Sequence, residues 1–132
     1  MSAPLSWRAV WIGAAVSIAV SVLMLFLGGS IERLVDALGI GVVSWAMRLL
    51  GLAADAAAGF VAGRIAGRDG ARHGLCAGAL AAVVGFAITL PGLFGSGYVP
   101  DGGWWLQVVV WSLAGVALAF VGGALGAQSR RA

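Results

Sequence analysis

The sequence predicts an all-α integral membrane protein with four transmembrane helices in a single domain covering residues 1–132. Three observations lead there. Of the residues, 61% are hydrophobic before the 22 glycines are counted, only 10% are charged, and the apolar residues fall into four long runs. A soluble domain carries about 25% charged residues, so a chain this poor in charge cannot coat such a core with solvated groups. Four spans of about 20 residues need roughly 80 positions, which leaves room for short loops and for no soluble catalytic or regulatory domain.

The first span is expected from Ala9 to Leu27, a run without charge or proline that ends at Gly28-Gly29-Ser30. A cleaved signal peptide has a shorter apolar core and an Ala-x-Ala-like site, so this run is read as an uncleaved helix. The second span is placed at Ile40 to Gly63 and carries two ionisable residues, Arg48 and Asp55. An alternative lays Ile31 to Leu50 along the membrane interface, so that only Gly51 to Gly67 crosses. A third span runs from Gly74 to Phe94 with Pro91 in its last turn, where proline kinks or ends a helix. The segment Gly95 to Gly103 reads as a turn, and Trp104 to Leu125 is the fourth span.

Arginine placement sets the expected orientation. Arg8, Arg64, Arg68, Arg72, Arg130 and Arg131 fall on one side, and only Arg33 lies in a loop on the other. Cytoplasmic loops hold the excess of basic residues, so both termini and the Gly67 to His73 loop are expected in the cytoplasm of a bacterial inner membrane. Arg64, Arg68, Arg72, Arg130 and Arg131 are read as topology determinants reaching lipid headgroups, with Arg64 and Arg68 sharing a helix face if the second helix continues that far. Trp7 and Trp11 at one face, with Tyr98, Trp104 and Trp105 at the other, fit interfacial aromatic belts. This placement makes nucleic acid an unexpected partner despite the net charge of +3.

Small residues recur every four positions. Gly51, Asp55, Gly59, Gly63 and Gly67 form one stripe in the second span, and Gly115, Ala119, Gly123 and Ala127 form another in the fourth. Helices in lipid associate through close backbone approach, so Gly51, Gly59, Gly63, Gly115 and Gly123 are expected to pack against neighbouring helices, within one chain or between chains. An offset of 60 lays Gly59-Phe60-Val61-Ala62-Gly63 over Ala119-Phe120-Val121-Gly122-Gly123 and pairs Trp45 with Trp105. Such a match describes two helical hairpins in parallel repeat.

Chemistry-bearing residues are few. One His, one Cys and five scattered acids make no converging metal set, and a chain without Lys has no phosphate-binding loop of the Gly-Lys-Ser/Thr kind. No cofactor and no enzymatic activity are expected. Cys76 reads as a small apolar residue and His73 as a polar residue at headgroup level. Arg48 and Asp55 stand apart, because an ionisable group inside a span costs about 2.5–3.5 kcal/mol and defaults to a functional hypothesis. Seven residues apart, they share a helix face about 10.5 Å apart along the axis, too far for an assured salt bridge. By depth, Ser17 lies nearest Asp55, while Ser21, Thr89 and Ser112 lie nearer Arg48. Together they would form a polar layer.

The run from Ala58 to Gly78, Ala-Gly-Phe-Val-Ala-Gly-Arg-Ile-Ala-Gly-Arg-Asp-Gly-Ala-Arg-His-Gly-Leu-Cys-Ala-Gly, resembles the hairpin of the YrzE-like small bacterial four-helix membrane proteins. The resemblance implies a glycine-rich second helix ending in a Gly-Arg turn and a His-Gly at the start of the third. It implies no activity. Function is therefore expected from the residues: an interaction subunit that joins copies of itself or a larger membrane complex through its glycine faces. The alternative is an oligomeric channel or transporter with Asp55 and Arg48 near a conduction path.

Overall fold

A computed structural model describes residues 4–97 and 99–130; the anchor residue Tyr98 and the basic residue Arg131 lie outside the described residues. The chain is all-helical, in the order α1 (Trp7–Phe26), α2 (Gly28–Leu38), α3 (Ile40–Ala66), α4 (Gly70–Gly95) and α5 (Gly102–Ser129). The four long helices are each apolar and long enough to cross a bilayer. This is a multi-pass membrane protein.

The segment read as a loop before Ile40 is a helix. In α2, Ile31, Leu34, Val35 and Leu38 recur at helical spacing on one side, while Glu32, Arg33 and Asp36 occupy the other. That is the pattern of a helix lying in the interface plane. Gly39, at φ 85°, separates it from α3 in a backbone conformation that favours glycine. The segment Ile31 to Leu50 is therefore not one continuous helix: α2 stops at Leu38, and α3 runs unbroken from Ile40 to Ala66.

At the other end α3 stops at Gly67, whose left-handed φ of 68° caps the helix and donates its N–H to the Gly63 carbonyl. Arg68 therefore lies beyond the helix and does not share a face with Arg64. Arg130 has partners within the fold. Its Nη1 donates to the carbonyl of Ile65 at 2.8 Å, satisfying an end carbonyl of α3 that lacks an intrahelical donor. Pro91 does not end α4, which continues to Gly95.

The two ends of the bundle pack differently. At the end that holds Pro4 and Arg130, glycines let backbones touch: a Cβ on Gly59 would land on the Ala119 carbonyl oxygen, and one on Gly63 on that of Gly123. Gly70 and Gly74 bring α4 onto the same stretch of α5, and Gly13 brings α1 against Ala58 and Ala62 of α3. At these positions the glycine faces are filled within one chain. Three backbones meet around Ala119 and Gly123, while α1 and α5 lie on opposite sides and do not meet. The increasing register of the Gly59 and Gly63 contacts makes α3 and α5 parallel, with α4 antiparallel to α5.

Toward the other end the helices part. Among the described residues of the four spans, the buried ones fall within Ala9 to Ser17, Ala54 to Gly63, Gly70 to Ala81 and Gly115 to Ala127, with Val43 the exception; the others are half-buried or exposed. Gly51 lies in this open half, so its expected role in packing is corrected: a Cβ there meets nothing within 4 Å.

The contrast sets a test. Gly59→Ala and Gly63→Ala should each lower stability by about 1–3 kcal/mol, because an added methyl meets backbone that cannot swing aside. Gly51→Ala should stay within about 1 kcal/mol of the parent. Equilibrium unfolding in detergent measures all three, and equal losses would overturn the division into a tight and an open half.

Candidate functional site

Where the helices part, residues from all four spans surround a cavity of about 320 Å³. Its floor is set by the small-residue contacts below it. Asp55 faces α1 and α5 there: its Oδ1 accepts a 2.6 Å hydrogen bond from Ser17 Oγ, and its Oδ2 lies where a Cβ on Gly115 would have to go. Gly115 is thus a packing glycine of a particular kind. It makes room for a carboxylate.

Ser17 is buried, and Asp55 is half-buried. Ser21, one turn farther along α1, donates to the Ser17 carbonyl at 3.1 Å, and Thr89 donates to the Phe86 carbonyl at 2.8 Å. Both hydroxyls engage their own helices in the way short polar side chains do in apolar surroundings. Ser112 lines the wall one turn from Gly115. The structure therefore gathers Ser17, Ser21, Asp55, Thr89 and Ser112 around one space.

Arg48 occupies the opposite rim. Its Nη2 donates to Gln107 Oε1 at 2.7 Å, and its guanidinium carbon lies 4.9 Å from the Trp111 ring centroid and 5.7 Å from that of Trp45. Those two indoles meet edge to face at 5.8 Å. A guanidinium is weakly hydrated and attracted to indole faces, so this cradle suits a cation held at membrane depth. Arg48 and Asp55 have separate partners. The arginine leans toward the start of α3, as helical side chains do, and away from the carboxylate.

Gln107 and Trp111 are not among the residues the sequence singles out. Gln107 carried a signal, since a primary amide inside an apolar span needs a partner, but its pairing with Arg48 depends on the register of α3 against α5. A second cavity of about 330 Å³, lined by Arg48, Gln107, Trp104 and Ser112 among others, adjoins the first along the same pair of helices.

His73 also departs from expectation. It is 2% exposed, accepts the Ser6 backbone N–H at Nε2 over 2.9 Å, and lies 3.0 Å from the Asp69 carbonyl at Nδ1. A backbone N–H can only donate, so Nε2 is the acceptor and Nδ1 carries the proton. The ring pins the residues before α1 to the start of α4. Leu5, Val10, Cys76 and Ala77 belong to a small apolar cluster between the same two segments.

Arg64, Arg68 and Arg72 are exposed at this tight end, with Arg130 beside Gly67. No group of three or more His, Cys, Asp or Glu side chains converges among the described residues. No protein-family model, curated protein or solved structure matches the chain.

Truncation of the histidine separates anchor from cavity. His73→Ala should cost about 1–3 kcal/mol by leaving the Ser6 N–H without its acceptor, and should speed proteolysis before Trp7. Reagents that probe the Ser112 region should see no change. An unaltered unfolding curve would remove the anchoring role.

Proposed function

We propose that the protein binds a small polar solute within the membrane and moves it across, as a small transporter whose site lies inside one chain. The observation that carries this reading is the cavity itself. Its walls come from all four spans, with one carboxylate at the floor, one guanidinium at the rim and hydroxyls between. Largely preformed pockets with a few convergent polar groups are the usual form of small-ligand sites.

Depth supports the reading. Asp55 is the sixteenth of 27 residues in α3, about 22 Å along a helix about 40 Å long. Transporter sites lie near the bilayer midplane, and ionisable residues at that depth face interior paths. The interaction-subunit reading depended on free glycine faces, and Gly59, Gly63, Gly115 and Gly123 are already covered by this chain's own helices. Any larger complex would form through other surfaces.

The arginine bias orients the protein with its termini in the cytoplasm of a bacterial inner membrane. The tight half then faces the cytoplasm and the cavity opens outward, as one of the two states an alternating-access cycle requires.

Single cysteines test this. In a Cys76→Ala background, Ser112→Cys should react with a membrane-impermeant thiol reagent added outside intact cells, whereas Ala119→Cys should not. Gly51→Leu should slow Ser112→Cys labelling at least tenfold while leaving the protein folded, because the new side chain enters the open space. Labelling of Ser112→Cys only after solubilisation would overturn the reading.

A further inference from the structure

We infer that the cavity selects a short zwitterion whose ammonium and carboxylate groups lie about 6 Å apart, the spacing of a dipeptide or a five-carbon ω-amino acid. This rests on the cavity being the solute site proposed above.

Among the described residues, Arg48 and Asp55 are the two charged ones lining the cavity. One sits at each end. A ligand bearing a single charge would pair with one of them and leave the other with its neutral partners alone, without a counter-charge in apolar surroundings. A ligand bearing both charges satisfies both ends, and the loaded site remains neutral overall.

Each end has capacity to spare. The guanidinium has five N–H donors, of which Gln107 takes one, and the flanking indoles of Trp45 and Trp111 restrict its orientation. The remaining edge suits a carboxylate, which guanidinium binds through paired hydrogen bonds. At the floor, Ser17 donates to Oδ1 of Asp55 and Oδ2 lies against the α5 backbone at Gly115, while the residue lines the cavity. An ammonium group entering from the cavity can donate to the carboxylate, whose oxygens each accept more than one hydrogen bond. The ligand's orientation follows: carboxylate toward the rim, ammonium toward the floor.

Length follows from the register of α5. The Arg48 guanidinium meets the end of the Gln107 side chain, and the Asp55 carboxylate lies against Gly115. Eight residues of helix span about 12 Å, and a hydrogen bond of about 3 Å at each end leaves about 6 Å for the ligand. An α-amino acid, with its charges on adjacent carbons, is too short to reach both ends. Glycylglycine and 5-aminopentanoate each place five bonds between nitrogen and carboxyl carbon. Trp111 and Phe86 supply apolar wall beside the ligand's middle.

Calorimetric titration of the full chain in lipid nanodiscs tests the inference. Glycylglycine and 5-aminopentanoate should bind at least tenfold more tightly than glycine, than N-acetylglycine, which lacks the ammonium, or than glycylglycinamide, which lacks the carboxylate. Arg48→Gln should abolish the preference for glycylglycine over glycylglycinamide, and Asp55→Asn its preference over N-acetylglycine. Equal binding of glycine or of either singly charged analogue by the parent protein would overturn the inference, whether or not the variants fold. Failure of every zwitterion, with Ser112→Cys still labelled from outside, would also overturn it while leaving the solute cavity standing. Failure of both measurements would remove both.

Discussion

Close backbone contact in one half of the bundle is the constraint from which the rest follows. In lipid there is little hydrophobic gain from bringing helices together, so van der Waals contact between backbones has to hold them. Gly59, Gly63, Gly70 and Gly74 deliver that contact around Ala119 and Gly123. Larger side chains return beyond this point: Leu52, Phe86 and Trp111 stand in the widening space. Helices held tightly at one end and spaced by bulk at the other enclose a cavity, and no lid or separate domain is needed to form it.

The placement of the polar residues matches that shape. Asp55 sits at the last level where the helices are close enough for Ser17 to reach it, and Arg48 sits where the space has opened enough for a long side chain to lie across to α5. Reversing the two would leave a guanidinium crowded among glycines and a short carboxylate stranded without a donor. The small-residue gradient and the charge order are therefore one design, with side-chain length fitted to interhelical distance. Arg130 and His73 belong to the tight end for the same reason. There the backbone groups of helix ends are clustered, and each side chain engages two of them.

Much of the fold was legible because it rests on local signals. Apolar runs of about 20 residues marked the four spans, and four-residue spacing marked Gly59 and Gly63 as contact points. The same spacing misplaced Gly51, since periodicity names a helix face and says nothing of whether a neighbour is present at that height. The α2 segment was legible in principle through Ile31, Leu34, Val35 and Leu38, but its charges and the preceding glycines read as a loop. At the site, depth alone put Ser17 beside Asp55. The partnership of Arg48 with Gln107 and Trp111 could not be read that way, because it depends on how α3 and α5 slide past each other, which only the packed structure specifies.

That sliding register ties the sequence pattern to the site. The offset of 60 that aligns the second and fourth spans is also the offset at which they touch: Gly59 meets Ala119, and Gly63 meets Gly123. Parallel helices with matching small-residue steps can lie side by side over several turns, because each step in one finds a step at the same height in the other. The same register continues to Asp55 and Gly115, where the match breaks. A second carboxylate at position 115 would set two like charges against each other, and a large apolar residue would close the floor. Glycine there lets α5 stay close while the carboxylate takes the room a side chain would fill. The site thus arises at the point where two similar helices stop being alike.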